Sequence, residues 1–521
     1  MVNWKLNSAQ KQSMVTSLSA AIAAFLIIIL LTLSIFIIFR GSYYFWPQSI
    51  QHLIYQQDAQ QVPQQLYALP TATTMRVDQQ LLHFKYSSPS QLVNGQATFT
   101  SNSISATEPE QPVARILLSN GGLVIAEVLQ IVDDNGHVFD IENFSALRDT
   151  VVSLEDQIDH IRSGELANIH NRLADMARKN VEQSAPARQR LSQRFFRLQK
   201  DIEALESTIG LFQLKLRFAD GQQASLSLFD VRQIDFPNSM SFSQKLLVGL
   251  SSFSDFITDS PKLDNTSGGV FPALFGTIVM VLLMTILVTP FGVLAALYLH
   301  EYAPQNKTTA LIRISVNNLA GVPSIVYGVF GLGFFVYTLG GNIDEILFSD
   351  NLPSPTFGAP GLFWASLTMA ILTLPVVIVA TEEGLRRVPK ALRDGSYALG
   401  ATQAETTLKM VLPIASPGIM TGVILAIARG AGEVAPLMLV GAVKFAPALP
   451  VDGDFPFVHL QRQFMHLGVL IYDGAFHSQN IGNGSSFVFA CCMLLLIIVF
   501  TLNLVAVFIR NRLRNQYSQN F

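Results

Sequence analysis

The sequence predicts an all-α polytopic membrane protein with six transmembrane helices and an inserted extracytoplasmic α+β domain that contains a coiled-coil helical hairpin. Three observations predict this class. Half of the 521 residues are apolar and 14% are charged, whereas soluble domains carry about 25% charged residues. Six stretches are apolar and long enough to cross a bilayer core of roughly 30 Å. A long polar region separates the first stretch from the other five.

The first stretch is interpreted as a retained membrane anchor. Its apolar run is longer than the roughly 7 to 15 residues of a signal-peptide core. An aromatic cluster at residues 43–46 follows it, as is typical of the membrane interface. Residues 1–40 are therefore assigned to the N-terminus and the first helix. The six predicted segments are residues 17–39, 271–299, 316–339, 362–380, 418–441 and 486–508.

Basic residues in short loops favour the cytoplasmic side of a membrane. With the N-terminus inside, ten of them fall on the cytoplasmic side, and residues 340–361 lie outside without a lysine or arginine. We therefore expect both termini in the cytoplasm and residues 41–264 outside it. The ten residues are Lys307, Arg313, Arg386, Arg387, Lys390, Arg393, Lys409, Arg510, Arg512 and Arg514.

The charge balance and the cysteines argue against several other classes of protein. With 34 basic and 37 acidic residues, the chain lacks the net basic field of nucleic-acid-binding proteins, so we expect no nucleic acid partner. Cys491 and Cys492 are adjacent in an apolar run. Neither a disulfide framework nor a metal-ligand spacing is present, and we expect no metal site.

Residues 41–264 are predicted to form a small β module that is split by a helical insertion at about 147–210. The strands fall at 81–86, 114–118, 123–132, 211–218 and 224–229. Asn-Gly pairs at 94–95, 120–121 and 135–136 and Asp-Gly at 220–221 favour hairpin turns, because both residues tolerate positive φ. The glutamine-rich stretch at 56–65 is interpreted as a linker.

The insertion is predicted to be an antiparallel coiled-coil hairpin. Apolar residues recur at steps of three and four residues, which is coiled-coil spacing. Gly164 interrupts the first arm, and Ser184-Ala185-Pro186 separates the two arms. Arms of this length would project about 40 to 50 Å. Two interpretations stand: a docking surface for a partner, or a spacer whose arms pack only against each other. The apolar positions are Val151, Leu154, Ile158, Ile161, Leu166, Ile169, Leu173 and Met176 in the first arm, and Leu191, Phe195, Leu198, Ile202, Leu205 and Ile209 in the second.

The loop at 381–417 carries the most informative cytoplasmic pattern. An acidic-small-small start is followed by a glycine and, about a dozen residues later, by Leu-Pro. This resembles the "EAA" loop of ABC-importer permeases, in which a short helix outside the bilayer sits in a groove of a cytoplasmic ATPase. The start is Asp-Gly-Ser instead of Glu-Ala-Ala, and the alternative is an ordinary basic loop. The candidate coupling residues are Asp394, Gly395, Ser396, Gly400, Leu412 and Pro413.

Four further motifs lie around this loop. They are His300-Glu301-Tyr302-Ala303-Pro304, the run from Leu319 to Gly328, Ala398-Leu399-Gly400-Ala401-Thr402 and the run from Ala426 to Leu437. These motifs resemble the PstA family of phosphate permeases. The resemblance covers the first span and the chain from about Val270 to the C-terminus, but not the inserted domain, which is much longer than the external loop of typical members. It implies an ABC type I importer permease fold for residues 265–521.

The same resemblance implies the function and the partners. It indicates a non-catalytic subunit that forms the phosphate path and lies in the inner membrane of a bacterium. The implied partners are a homologous PstC-like permease, two PstB-like ATP-binding subunits and an extracytoplasmic PstS-like phosphate-binding protein. The chain has no Gly-x-x-x-x-Gly-Lys-Ser/Thr loop of its own to hold a nucleotide. We therefore expect no cofactor on this chain and ATP use by the partner ATPase.

Arg429 and Glu433 are the two charges of the predicted fifth span and lie four residues apart, which places them on one helix face. A charge at the bilayer centre costs at least ~2.5 to 3.5 kcal/mol, so such residues mark either a polar path or an internal ion pair. A guanidinium suits phosphate oxygens, and the resemblance makes Arg429 the leading candidate for phosphate contact. Ser324 is assigned to the same path. Pro323 and Ser324 interrupt the third span as either a hinge or a simple kink.

Two alternatives to phosphate import stay open. Because one arginine does not distinguish tetrahedral anions, the permease could carry another oxyanion such as sulfate or molybdate. A membrane-anchored sensor or scaffold is the alternative from another class. A sensor would normally need a cytoplasmic output domain, whereas a short basic tail follows the last span here. His300, His466 and His477 are expected at interfacial or surface positions.

Overall fold

The computed structural model describes residues 8–518 except 56–63, 77–78, 134–136, 141–142, 179–181, 183–184, 210–211, 262–267, 350–352, 454–456 and 478–482. Contacts divide the chain into two compact units. We call Met1–Phe45 together with Ser252–Phe521 the membrane unit, and Trp46–Ser251 the inserted unit.

The membrane unit begins with the long helix α1 (Ser8–Tyr43), and the inserted unit follows it in the chain. The inserted unit contains an antiparallel five-stranded sheet in the order β4-β3-β2-β1-β5. A second antiparallel sheet has the order β10-β9-β7-β6-β11, with β8 beside β7. The strands are β1 (Gln51–Tyr55), β2 (Gln64–Arg76), β3 (Gln79–Ser88), β4 (Gln91–Thr100), β5 (Ile104–Thr107), β6 (Val113–Leu118), β7 (Leu123–Val132), β8 (Val138–Phe139), β9 (Gln213–Arg217), β10 (Gln223–Ser227) and β11 (Val231–Asp235).

Two of the predicted turns are confirmed. Gly121 and Gly221 join β6 to β7 and β9 to β10 with φ of 84° and 81°, a region that favours glycine. The predicted turn at Asn94-Gly95 is wrong, because this pair lies inside β4. A Cβ on Gly95 would come 2.7 Å from the Tyr86 carbonyl oxygen of the neighbouring strand. This glycine permits close approach of two strands. The pair at 135–136 lies outside the described residues.

The glutamine-rich stretch is part strand. Gln64 and Gln65 pair with β1 at the start of β2, so the linker prediction is wrong for them, because hydrogen bonding to a neighbouring strand overrides their composition. Residues 56–63 lie outside the described residues.

Helices lie between β8 and β9 and cover one face of the second sheet. Val151, Ile158 and Ile202 are buried in the same apolar cluster as the sheet residues. The two arms run antiparallel, because Arg162 lies 2.8 Å from Glu206 and Arg194 lies 2.8 Å from Glu165. Gly164 does not end the first arm, which continues through a π-helical turn. The segments are α2 (Phe144–His160), the π turn Ile161–Leu166, α3 (Ala167–Arg178) and α4 (Pro186–Ile209).

In the remainder of the membrane unit, α10 is the central helix. It packs against α6 and α13, and Gly384 meets Gly418 where a Cβ on Gly418 would come 2.5 Å from the Gly384 Cα. Small residues of this kind allow membrane helices to approach closely. The helices are α5 (Phe242–Thr258, in this unit from Ser252), α6 (Phe271–Leu297), α7 (Lys307–Leu319), α8 (Ser324–Phe330), α9 (Gly341–Leu347), α10 (Leu362–Arg386), α11 (Lys390–Ala398), α12 (Gln403–Thr406), α13 (Leu412–Gly432), α14 (Ala435–Val440), α15 (Leu467–Phe476) and α16 (Asn483–Ser518).

Short elements complete this unit. Strands β12 (Ala442–Val443) and β13 (Phe464–Met465) pair in parallel. Three π-helical segments continue α6, α8 and α12, and such segments are frequent at functional sites. They are Tyr298–Tyr302, Gly331–Gly340 and Thr407–Val411.

Six helices among the described residues are long and apolar enough to span a membrane, as predicted, but their bounds differ from the predicted ones, most at the third and the fifth span. The third begins at Ser324 because the chain breaks between α7 and α8, and the fifth ends at Gly432 instead of continuing to residue 441. The six spans are Gln12–Tyr43, Phe271–Tyr302, Ser324–Leu347, Leu362–Arg386, Gln403–Gly432 and Ser486–Arg512.

His466 is fully buried, so the prediction of a surface or interfacial position is wrong for this residue. Its Nδ1 accepts a hydrogen bond from the Gly468 N–H at 3.1 Å and caps the start of α15. Burial lowers the pKa of His466 to about 4. The neutral ring therefore serves as a helix cap.

We expect the buried His466 to make folding sensitive to acid. Its folded-state pKa of about 4 is below the unfolded value of about 6.5, so the unfolded state alone gains a proton between these values. The free energy of unfolding should fall as pH falls through that window, by up to ~1.4 kcal/mol per pH unit. Thermal melting of the purified protein between pH 7 and pH 5 measures this. His466→Asn, which keeps a capping acceptor, should reduce this dependence of stability on pH, whereas the exposed His477→Gln should leave it unchanged. An equal pH dependence in the wild type and both variants would contradict the assignment.

Deleting residues 151–209 is expected to destabilise the inserted unit and to leave the membrane unit folded. The deletion would remove three buried aliphatic residues that pack against the second sheet, and each contributes about 2 kcal/mol to the free energy of unfolding. A deletion of residues 167–200 is the control, because it keeps Val151, Ile158 and Ile202. Membrane insertion and limited proteolysis of both variants measure the effect. Loss of membrane insertion in the longer deletion would show that the insertion is not an independent module.

Candidate transport site and coupling loop

The candidate transport site is built around a break between α13 and α14. The helix ends at Gly432, and Glu433 has an extended backbone with φ −82° and ψ 130°. Pro436 lies in the first turn of α14. A proline there would clash with the Gly432 carbonyl if the helix continued, and it lacks an N–H to bond it. The prediction that Arg429 and Glu433 lie on one face of a continuous helix is therefore wrong.

The two charges still approach each other across the break. Arg429 Nε lies 3.5 Å from Glu433 Oε1, and the side chains are 31% and 25% exposed. At this distance the pair is an ion pair without a hydrogen bond. Among the described residues, the structure gives the Arg429 guanidinium no other ion pair or side-chain hydrogen bond. Its remaining N–H groups are accessible to an anion.

A second break packs against the first. Pro323 precedes α8, and the Tyr327 hydroxyl donates to the Leu319 carbonyl oxygen at 2.8 Å. This carbonyl is at the end of α7 and also accepts a hydrogen bond from the Val322 N–H at 3.2 Å. Tyr327 is buried. Ser324, half-buried, opens α8 one turn before Tyr327.

Gly328 holds the two broken segments together. A Cβ on this residue would come 2.7 Å from the Pro436 Cα, so a side chain would force α8 and α14 apart. Sequence reasoning did not assign roles to Tyr327, Gly328 or Pro436. The signal for Tyr327 and Gly328 was their position after Pro323 in the quoted motif, and Pro436 was a visible breaker within an apolar run.

The predicted loop at 381–417 is shorter in the structure, because α10 continues to Arg386 and a helical run begins at Gln403. Between them lie the short helix α11 and a tight turn. Gly400 has φ 87°, and its N–H bonds the Tyr397 carbonyl at 2.9 Å while the Ala401 N–H bonds the Ser396 carbonyl at 3.2 Å. These two bonds define a Schellman cap, which places glycine in the left-handed conformation. Thr402 and Glu405 then form a capping box at the start of α12.

The predicted coupling residues occupy different surroundings. The Ser396 Oγ lies 2.8 Å from the Thr406 Oγ1, and both residues are buried, so they join α11 to α12. Asp394 and Gly395 are exposed on α11. Leu399, beside the turn, is 91% exposed. Leu412 and Pro413 lie inside the helical run that leads into α13, away from the turn.

Gly400→Ala is expected to loosen this turn, because a Cβ is disfavoured at φ 87° by roughly 1 kcal/mol. Gly395→Ala is the matched control. Both positions have open space for a Cβ, but Gly395 is helical and alanine there should stabilise α11 by up to about 1 kcal/mol. Hydrogen exchange should become faster across residues 396–406 in the first variant and not in the second. Equal exchange rates would contradict the proposed constraint.

Comparison with known proteins identifies the family. Residues 288–515 match the family described as binding-protein-dependent transport system inner membrane component. The phosphate transport system permease protein PstA 1 of Mycobacterium tuberculosis (strain CDC 1551 / Oshkosh) is 35% identical over 244 residues, which is 47% of this chain and 71% of that protein. PstA of Yersinia pestis is 30% identical over 250 residues, 47% of this chain and 75% of that protein.

A solved chain of the MetNI methionine ABC transporter in an inward-facing conformation aligns with 17% identity and a TM-score of 0.35, over 46% of this chain and 94% of that chain. At that score the likeness supports no argument. The alignments to the two PstA proteins each cover more than two thirds of the relative's length, at 30% identity or more. The chain belongs to the PstA family of phosphate transport system permease proteins and is a multi-pass inner-membrane permease subunit of an ABC importer.

Proposed function

We propose that this chain lines the path by which inorganic phosphate crosses the membrane, with Arg429 as the anion-contacting residue. The observation that carries the proposal is the Arg429 guanidinium, which lies in the last turn of a membrane helix with accessible donors and one carboxylate at 3.5 Å. A guanidinium presents paired N–H donors that match phosphate oxygens. Family membership supports phosphate as the anion.

The same geometry accounts for release of the anion. Glu433 is close enough to lower the local positive charge but does not occupy the donors of Arg429 by hydrogen bonding. A permanent site would need a fully complementary cage, whereas a path needs a contact that can be exchanged. Ser324, at the adjoining break, adds a hydroxyl group to this path.

The partner subunits and the orientation in the membrane are proposed from family membership. ATP is hydrolysed by two PstB-like subunits, a PstC-like permease completes the path, and a PstS-like protein delivers phosphate from outside. The exposed face of α11, with Asp394, Gly395 and the apolar Leu399, docks in the ATPase. Both termini and α11 are cytoplasmic, and the inserted unit is extracytoplasmic, where its coiled-coil arms form either a partner surface or a spacer.

Arg429→Gln is expected to lower phosphate uptake by at least tenfold, because one lost charged contact to the anion corresponds to about 1.5 to 3 kcal/mol. Assembly with the partner subunits should be unchanged. Arg512→Gln is the control, since Arg512 is an exposed arginine near the end of α16. Uptake of radiolabelled phosphate in cells that lack the native gene, together with co-purification of the complex, measures both properties.

Competition by sulfate and molybdate in the same assay identifies the anion. Uptake of phosphate that resists excess sulfate supports the proposal. Normal phosphate uptake by the Arg429→Gln variant, or transport of sulfate in place of phosphate by the wild-type complex, would overturn it.

A further inference from the structure

A group of charged residues outside the proposed transport site connects α11 to the ends of α6 and α10 and, through them, to α7. Glu301 lies in the π turn that ends α6, and its Oε1 is 2.9 Å from Arg393 Nη2 on α11. Arg393 also donates to the Leu385 carbonyl oxygen of α10 at 3.0 Å. One guanidinium therefore joins α11 to the ends of α6 and α10.

A second pair extends this connection to α7. Arg313 Nε lies 3.3 Å from Glu382 Oε1, and Arg313 Nη2 donates to the Leu299 carbonyl oxygen at 2.7 Å. The Gln403 side chain donates to the backbone carbonyl of Glu301 at 2.8 Å. The end of α6 is thus tied to both sides of the turn that follows α11, and the middle of α7 is tied to the ends of α6 and α10.

Most of these charges are buried, so each needs its partner to offset the cost of desolvation. The side chains of Glu301, Glu382 and Arg393 are 8%, 10% and 15% exposed. A buried ion pair contributes little net stability over an apolar replacement, because desolvation offsets the attraction, but removing one partner leaves an uncompensated charge. The pairs therefore specify a geometry rather than supply stability.

The pairs are also incompletely satisfied. Glu301 Oε1, Glu382 Oε1, Arg313 Nε and Arg393 Nε are buried and make no geometrically acceptable hydrogen bond to the described residues. A purely structural network is normally fully bonded. Each pair is therefore held by ionic contact and by the bond of its guanidinium to a backbone carbonyl, rather than by a complete set of hydrogen bonds.

We infer that Glu301 and Arg393 are positioning residues that make α11 move together with the ends of α6 and α10, so that displacement of α11 reaches the transport path. This inference rests on the proposed function, because it assigns α11 the contact with the ATPase. Glu301 acts through Arg393, and the Arg313–Glu382 pair carries the same displacement to α7, which leads into the break before α8. Loss of either charge should allow ATP hydrolysis to proceed without transport.

The test uses the complete complex in proteoliposomes and measures transported anion and hydrolysed ATP in parallel. Glu301→Gln and Arg393→Gln should each assemble and should each lower the number of anions transported per ATP by about tenfold, within the usual range of coupling between sites. The exchanged pair Glu301→Arg with Arg393→Glu should recover most of this ratio. Lys307→Gln, which removes an exposed charge from α7, should not change it.

The ratio distinguishes positioning from stability, since a less stable complex would lose transport and hydrolysis together. An unchanged ratio in both single variants, or an assembled exchanged pair no better than they are, would overturn the inference. If the single variants do not assemble, the exchanged pair alone decides: recovery of assembly and coupling supports the inference, and failure of either overturns it. The ratio is measured with the anion that the wild-type complex carries, so transport of sulfate instead of phosphate counts against the proposed function alone.

Discussion

The cost of an unpaired charge or an unpaired backbone group in apolar surroundings is the constraint on which the membrane unit depends. Water cannot satisfy such groups in a bilayer. Some of the described charges within and at the ends of its spans lie beside opposite charges, as in Arg429 with Glu433 and Arg393 with Glu301. Buried Asp344 instead accepts hydrogen bonds from the backbone N–H groups of Phe357 and Gly358. Where α7 ends, the Leu319 carbonyl accepts from both the Tyr327 hydroxyl and the Val322 N–H.

This constraint explains why the two helix breaks occur together. Each break frees backbone groups and admits polar side chains, so each needs a neighbour that tolerates them. Gly328 and Pro436 bring the broken segments into contact, and the arginine that ends α13 lies beside them. A polar region is thereby formed inside an otherwise apolar helix bundle, without a continuous row of charged residues along any one helix.

The two charged regions differ in how their partners are arranged. At the proposed transport site, the guanidinium keeps donors without a partner among the described residues and its carboxylate is not hydrogen-bonded to it, so an anion can compete for it. In the second region, Glu301, Glu382 and Arg393 are more buried than this pair. Arg313 and Arg393 each also donate to a backbone carbonyl. A side chain held by both a carboxylate and a backbone carbonyl transmits displacement well and binds solutes poorly. One arrangement suits exchange and the other suits transmission.

Sequence alone determined the number of spans, the turns at Gly121 and Gly221, and the family, because these depend on apolar length, positive φ and local motifs. It also indicated Arg429, since a charge in an apolar run is visible without a structure. The end of the fifth span at Gly432 follows from Pro436, which is visible in the sequence, whereas the packing of Pro436 against Gly328 was decided by the fold. Burial of His466 was likewise decided by tertiary packing. The partnership of Glu301 with Arg393 joins residues 92 positions apart in the sequence, and only the fold brings such distant charges within 2.9 Å.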